Sequence, residues 1–264
     1  MSRPKNWPPS LPYFKAPQHG KDLTPAQLQF LRTKPTTSKH RSHQQLPHAN
    51  NNNNNNDHDD DSTLPIIPAS SAATETPCPR VKILPITNPL HPAHGQFGLF
   101  AATNILPGEL IVAYLGRLHG GSTTSEESDY DIWLEREMDV AVDAALGGNE
   151  GRFVNDYRGV PVVGASGVVG KGRPNARFGN AFCERWGEVC VGVWAVGGGG
   201  GGKKGKKKKG GEGGIRKGDE ILVSYGKGFW EERRRDCGDE GDEDNGDGQG
   251  DVHDEISVDE GQLS

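Results

Sequence analysis

The chain has 264 residues, of which 32% are hydrophobic and 38 are glycine, so we expect one modest folded domain and not two large cores. The net charge is −6, and the sequence shows neither an apolar signal region nor a membrane-length apolar run, so we expect a soluble, intracellular protein without membrane partners. Four cysteines without a Cys-x-x-Cys pair predict neither a disulfide framework nor a metal site.

The N-terminal region, residues 1–77, is predicted to be mostly disordered. Its proline-rich and asparagine-rich tracts bury too little apolar surface to offset the ordering of the chain. One short helix is predicted within it at residues 24–32, with Thr24 as the N-cap and Pro25 in the first turn. The apolar residues of this helix are expected to dock either on the folded domain or on a partner.

The folded domain is predicted between residues 78 and 230, where short apolar runs alternate with glycine and proline turns. No long amphipathic helix pattern interrupts these runs. The fold class is therefore predicted to be mostly β, built from short sheets. The predicted strands lie at residues 98–101, 110–115, 139–143, 189–194 and 220–224.

Two low-complexity segments carry opposite charge. The first, at residues 197–214, is a Gly/Lys tract that we expect to form a flexible hairpin insertion between the last two strands. Its six lysines from Lys203 to Lys209 indicate a nuclear-localisation patch, a weak nucleic-acid contact or a solvated loop. The second, at residues 231–264, has twelve acids and no lysine or arginine from residue 236 onward, and it is predicted to be a disordered tail.

Two motifs lie in the first half of the domain. The turn at residues 95–98 reads Gly-Gln-Phe-Gly, and glycines there either bring the backbone close to a ligand or form an ordinary hairpin. Residues 129–134 read Asp-Tyr-Asp-Ile-Trp-Leu and precede a Val-Asp-Ala segment at 142–144. Tyr130 in this motif is either a binding-site residue or a core aromatic.

Two further motifs lie in the second half. Residues 148–157 read Gly-Asn-Glu-Gly-Arg-Phe-Val-Asn-Asp-Tyr, and Pro174-Asn175 follows after a loop at 159–173. Residues 215–230 contain a glycine-led strand that ends at Tyr225. This tyrosine is either a functional residue or a core residue at the end of a strand.

In this order, the four motifs resemble those of the SET-domain family of protein-lysine methyltransferases. The resemblance implies a SET-type fold of short sheets with a pseudoknot, in which a late strand passes through the loop of the third motif. It also implies S-adenosyl-L-methionine as cofactor and a lysine-bearing protein as substrate, either a histone tail or a non-histone protein. The family's usual location is the nucleus, with the cytoplasm as the alternative.

The resemblance also assigns roles to residues of this chain. Tyr225 takes the position of the catalytic tyrosine, while Tyr130 and Phe229 take positions that contact the substrate lysine. The positions that contact the cofactor are Gln96, Phe97, Gly98, Arg152, Phe153, Asn155, Asp156 and Trp230.

The chain departs from the family pattern at Asp156-Tyr157-Arg158, where most members have His-Ser-Cys. Contacts made through backbone N–H and C=O groups survive this change, whereas contacts made through a histidine ring do not. The alternative function is therefore a catalytically inactive SET-fold binding or scaffold module. A third hypothesis is a nucleic-acid-associated adaptor that acts through Lys203 to Lys209.

Overall fold

The computed structural model describes residues 3–35, 64–120, 128–163, 169–196, 214–226 and 229–230. Short strands predominate, so the mostly β architecture of short sheets is confirmed. None of the helices in these residues has the length and apolar character needed to cross a membrane. The chain divides after Ser224 into two units, which are described separately.

The two longest strands of the first unit, β12 and β13, lie in a four-stranded sheet with the order β2-β12-β13-β5. Strands β12 and β13 form a long antiparallel hairpin, and the Gly187 N–H donates to Cys183 O at 2.8 Å across its turn. Nearly every residue of β13 is buried, as expected for a central strand covered on both faces. The bounds are β2 Ile66–Ile67, β5 Leu110–Tyr114, β12 Ala176–Cys183 and β13 Glu188–Ala195.

A second sheet has the order β1-β6-β8-β7 and lies against helix α1. The helix begins after Thr24, whose side chain and that of Gln27 form the capping box expected at a helix N-terminus. Leu31 of the helix is fully buried in the core, so the predicted helix is confirmed and docks on the domain itself. The bounds are β1 Gln18–His19, α1 Pro25–Arg32, β6 Arg117–Gly120, β7 Asp131–Glu135 and β8 Val140–Asp143.

The N-terminal region differs from the expected disorder over residues 3–35 and 64–77. Trp7, Leu23 and Ile67 are all less than 9% exposed, and the Gln27 side chain donates to two backbone carbonyls of the β7–β8 turn. These contacts are made with residues far along the chain, so the local composition does not reveal them. Residues 36–63, with the asparagine tract, lie outside the described residues.

The remaining strands form two-stranded pairs. β3 pairs with β4, β9 pairs in parallel with β14, and β10 pairs with β11, so the segment predicted as a loop at 159–173 contains a strand pair. The described residues also include two short 3₁₀ helices, at Ala72–Thr74 and Glu150–Phe153. The bounds are β3 Val81–Pro85, β4 Phe97–Ala101, β9 Asn155–Asp156, β10 Pro161–Val163, β11 Val169–Lys171 and β14 Leu222–Val223.

Among the described residues, strands β13 and β14 on either side of the Gly/Lys insertion do not pair with each other. Strand β13 before it pairs with β12 and β5, whereas the chain after it returns through a bridge between Ile215 and Ile105. The expectation of a hairpin is therefore wrong, because the flanking strands have other partners. Residues 197–213 and 231–264, including the lysine tract and the acidic tail, lie outside the described residues.

Candidate functional site

The segment leading into β14 runs between two other parts of the domain. On one side, the N–H of Ile221 donates to Leu99 O of β4 at 2.8 Å. On the other side, β14 pairs in parallel with β9, with Leu222 opposite Asn155. This crossing joins the first, third and fourth sequence motifs.

Asn175 holds the same segment through both its backbone and its side chain. Its N–H donates to Leu222 O at 3.0 Å, and its Oδ1 accepts the Leu222 N–H at 2.8 Å. Its Nδ2 donates to Glu220 O at 2.8 Å. The Pro174-Asn175 motif therefore lies beside the motif at 148–157, although the β10–β11 pair separates them in the chain.

A chain of three polar side chains lies where β4, β9 and this segment meet. The Nδ2 of Asn155 donates to Glu220 Oε1 at 2.9 Å, and Glu220 Oε2 is 3.1 Å from the Nε2 of His91. The Nδ1 of His91 accepts the N–H of Ala93 at 3.0 Å, so the ring proton lies on Nε2 and is donated to the carboxylate. The His91 and Glu220 side chains are only 5% and 12% exposed.

Gly98 makes room for this polar chain. A Cβ on Gly98 would lie 2.7 Å from Glu220 Oε1, 2.8 Å from Ile86 Cδ1 and 3.1 Å from Asn155 Nδ2. Protein atoms, and not open space, therefore surround its α-carbon. At Gly95 a Cβ would meet nothing within 4 Å, and the requirement for glycine comes from its φ of +82°.

Two predicted cofactor residues, Gln96 and Phe97, lie at the rim of this region. Both are exposed, and Phe97 O is 3.5 Å from the Nδ2 of Asn155. The Phe97 ring meets the ring of buried Phe153 edge to face at 6.4 Å, and Phe153 in turn meets Trp7 at 5.6 Å. An aromatic row thus connects the rim to the N-terminal segment.

Asp156, another predicted cofactor residue, is engaged within the protein. The N–H of Arg158 donates to its Oδ1 at 2.8 Å, and the Arg158 guanidinium donates to its Oδ2 at 2.9 Å. The same guanidinium lies 4.9 Å from the Tyr157 ring, while the Tyr157 N–H donates to Val223 O at 2.9 Å. The Asp-Tyr-Arg sequence that replaces His-Ser-Cys therefore forms a turn whose negative charge is paired internally.

Arg152 and Tyr130 contact each other directly. The Arg152 guanidinium lies 4.2 Å from the centre of the Tyr130 ring, and its Nε donates to Ala144 O at 3.0 Å. Tyr130 is 36% exposed, and its backbone O accepts the hydroxyl of Tyr114 at 2.7 Å. The structure thus brings together one residue predicted to bind cofactor and one predicted to bind substrate.

The turn that carries these residues is anchored from its buried side. The Asn149 side chain accepts the N–H of Leu115 at 3.0 Å and donates to Ala113 O at 2.8 Å, which ties the turn to β5. The next residue, Glu150, is 1% exposed and accepts hydrogen bonds from the hydroxyl of Tyr13 and the N–H of Cys78. Asn149 and Glu150 are therefore framework residues of the site.

The Glu150 cluster has perturbed acid–base properties. Burial raises the pKa of Glu150 above its ordinary value, against the lowering effect of the hydrogen bonds it accepts. Burial and the neighbouring Glu150 charge also raise the pKa of Tyr13. Burial raises the pKa of the Cys78 thiol to about 12, so this thiol stays protonated at neutral pH.

The second unit contains the remaining three predicted site residues. The rings of Tyr225 and Phe229 meet edge to face at 4.9 Å, and those of Phe229 and Trp230 at 5.4 Å. The indole Nε1 of Trp230 is buried and has no hydrogen-bond partner among the described residues. A buried donor of this kind calls for an acceptor.

Sequence reasoning missed several residues of this region. The contact between His91 and Glu220 is not predictable from local sequence, because the two residues are 129 positions apart. Tyr13 and Trp7 were not considered as site residues, because the N-terminal region is predicted from its composition to be disordered. Glu220 alone had a signal, its place within the fourth motif. In the described part of the chain, no group of three or more His, Cys, Asp and Glu side chains is arranged to hold a metal ion.

Comparison with known proteins gives similarity at the level of structure. No protein-family model and no curated protein matches the sequence. Among solved structures, the Chaetomium thermophilum polycomb repressive complex 2 is 20% identical, with a TM-score of 0.37, over 55% of this chain and 15% of that chain. The same complex in an autoinhibited conformation bound to S-adenosylmethionine is 22% identical, with a TM-score of 0.36, over 58% of this chain and 17% of that chain.

Proposed function

We propose that this chain is an S-adenosyl-L-methionine-dependent protein-lysine N-methyltransferase of the SET type. The observation that carries the proposal is the meeting of separate sequence motifs on one segment. Gly98, Asn155 and Asn175 come from distant parts of the chain, and all three contact Glu220 or the backbone beside it. A cofactor site built from all of these motifs would explain why they lie together.

The residues around Asn155 fit a cofactor that carries hydrogen-bond donors and positive charge. The Nδ2 of Asn155 is used by Glu220, whereas no described residue donates to its Oδ1, so this oxygen can accept from a ligand. The exposed ring of Phe97 offers a π face suited to a cationic group. The pairing of Asp156 with Arg158 balances the negative charge of this turn within the protein.

The proposed roles follow the resemblance. S-adenosyl-L-methionine would supply an electrophilic methyl group. An uncharged lysine amine would attack the methyl carbon in line, the N–C bond forming as the S–C bond breaks, with S-adenosyl-L-homocysteine as the leaving group. The exposed Tyr130 and the Phe229 ring are proposed to contact the substrate lysine, and the indole donor of Trp230 an adenine nitrogen. The proposed cofactor residues are Gln96, Phe97, Gly98, Arg152, Phe153, Asn155, Asp156 and Trp230.

Tyr225 is proposed as the catalytic residue. Its hydroxyl would accept a hydrogen bond from the substrate amine and orient the nitrogen lone pair, and such alignment supplies much of the acceleration in group transfer. The ring of Phe229, packed edge to face on Tyr225, would hold that hydroxyl in place. No general base is needed if the lysine releases its proton to water before transfer.

The direct test is incubation of the full chain with radiolabelled cofactor and a panel of histone and non-histone proteins. Label on a lysine is expected with wild type, with at least a roughly tenfold lower rate for Tyr225→Phe. Equal incorporation by the Tyr225→Phe variant would remove Tyr225 from the proposal. A histone substrate would favour the proposed nuclear location, and a non-histone substrate would keep the cytoplasm as the alternative.

The second candidate function is a SET-fold module that binds a partner or the cofactor without turnover. It is favoured by one observation, the Asp156-Tyr157-Arg158 turn, which pairs its own charge and lacks the histidine ring of the family pattern. Calorimetry with cofactor separates the two functions. Cofactor binding without methyl transfer to any substrate would favour the module.

A further inference from the structure

We infer that His91 and Glu220 are positioning residues, which together fix the side-chain amide of Asn155 with its oxygen facing the cofactor; this inference rests on the proposed function. An asparagine amide has a donor end and an acceptor end, and a free side chain presents either one. The neighbours of Asn155 allow only one orientation of its side-chain amide. Its nitrogen faces Glu220 Oε1 at 2.9 Å and Phe97 O at 3.5 Å, so the flipped amide would place its oxygen against a carboxylate.

The Glu220 carboxylate is itself held in a single arrangement. Its second oxygen accepts the Nε2–H of His91, and the Ala93 N–H occupies the other nitrogen of that ring. The absent side chain of Gly98 leaves the space that Oε1 needs to reach Asn155. The order of donors and acceptors is therefore fixed from Ala93 through His91 and Glu220 to Asn155.

This order predicts an unusual effect for Glu220→Gln, a change that keeps the shape of the side chain. The His91 Nε2–H can only donate, because the Ala93 N–H holds the ring in that tautomer. The side-chain oxygen of the introduced glutamine would turn to His91, and its NH₂ group would then face Asn155. The Asn155 amide would have to flip and offer a donor to the cofactor in place of an acceptor.

A second substitution should restore the original order. In the His91→Gln/Glu220→Gln double variant, the oxygen of residue 91 can accept from the NH₂ group of residue 220. The oxygen of residue 220 is then free to accept from Asn155 Nδ2, as the carboxylate does in the wild type. A role limited to packing predicts the opposite, because two changes in one buried pair would then do more damage than one.

The first measurement is the affinity of the full chain for S-adenosyl-L-methionine, by calorimetry. We expect Glu220→Gln to weaken binding about tenfold, with the melting temperature nearly unchanged, and the double variant to recover most of the loss. Glu137→Gln on the exposed β7–β8 turn is the matched control and should bind as wild type. Wild-type affinity in Glu220→Gln, or a further loss in the double variant, would overturn the inference.

The second measurement needs no cofactor and separates this inference from the proposed function. In ¹⁵N-labelled full chain, the Asn155 NH₂ protons should show the slow exchange and separated shifts of a bonded amide, and Glu220→Gln should change them. If the wild type binds no cofactor but shows this signature, the proposed function fails, whereas the fixed orientation of the Asn155 amide is supported. Asn155 NH₂ signals that resemble those of an exposed asparagine and do not change in Glu220→Gln would show that the amide orientation is not fixed, and would overturn the inference.

Discussion

Leu222 donates its N–H to the side-chain oxygen of Asn175 at 2.8 Å, and Asn175 returns its own N–H to Leu222 O at 3.0 Å. The two residues are 47 positions apart in the chain. Strand β14 has only two residues, and this exchange gives it a second set of hydrogen bonds beside its pairing with β9. Asn175 is therefore part of what holds the C-terminal segment in its crossing.

The first prediction concerns Asn175→Ala, which leaves the Leu222 N–H and Glu220 O without their side-chain partners. We expect a loss of about 2 kcal/mol in the free energy of unfolding, since a lost hydrogen bond to a partly buried backbone group costs about 1 kcal/mol. Asn104→Ala is the control, because its single bond to the Lys217 N–H is exposed, and its loss should stay below about 1 kcal/mol. Equal losses in urea unfolding would contradict the assignment.

The second prediction concerns Gly98→Ala. The added methyl group would lie within 3.1 Å of Glu220, Ile86 and Asn155, so these groups must move apart. We expect an overpacking cost of about 1 to 3 kcal/mol together with weaker cofactor binding. Gly120→Ala, where the nearest atom would be 3.6 Å from the new Cβ, should change neither unfolding nor binding. Unchanged stability and cofactor binding in Gly98→Ala would show that the Glu220 carboxylate and the Asn155 amide can shift without cost, and would contradict this prediction.

The third prediction concerns pH and the buried Glu150. Because burial raises its pKa in the folded state, its contribution to stability is present below the ordinary value of about 4.5 and is lost as pH rises through the raised pKa. Glu150→Gln should therefore flatten the fall in unfolding free energy over that window. The amide can keep the bonds to Tyr13 and the Cys78 N–H. An exposed control, Glu137→Gln, should leave the pH profile unchanged; a wild-type profile in Glu150→Gln would contradict burial of this carboxyl as the cause.

The fourth prediction concerns the N-terminal segment. Trp7 is 6% exposed and meets the rings of Tyr13 and Phe153 at 4.9 and 5.6 Å. Trp7→Ala should lower the unfolding free energy by about 3 kcal/mol, as expected for removal of a buried tryptophan. Lys5→Ala in the same segment is exposed and should have no measurable effect in thermal unfolding. An unchanged free energy of unfolding in Trp7→Ala would contradict the docking of this segment and support the disorder expected from its composition.

Features set by local sequence could be predicted well. Helix α1 follows from Thr24, Pro25 and Gln27, which satisfy the helix N-terminus within one turn. The predicted strands at 110–115 and 189–194 correspond to β5 and β13, because their long apolar runs have no polar alternative.

Features set by distant partners could not be predicted. Strand β12, Ala176–Cys183, was missed because glycine and polar residues break its pattern, and its extended form depends on the hairpin with β13. The order of the N-terminal segment likewise depends on residues beyond position 80, such as Gly148, whose backbone pairs with Tyr13. Local composition carries no information on either contact.

The candidate site divides in the same way. Motif resemblance predicted that Gly98, Asn155 and Asn175 belong together, and the structure brings them to one segment. It did not indicate that Glu220 and His91 connect them, because a hydrogen bond between side chains 129 positions apart leaves no periodic signal. Nor did it indicate that Arg158 would pair with Asp156.

The most direct test of the central claim is mass spectrometry of a panel of histone and non-histone proteins after incubation with the full chain and S-adenosyl-L-methionine. We predict a mass increase of about 14 Da per methyl group on a lysine of at least one substrate, strongly reduced for Tyr225→Phe. Absence of methylation across the panel, together with absence of cofactor binding at millimolar concentration, would contradict a methyltransferase function for this protein.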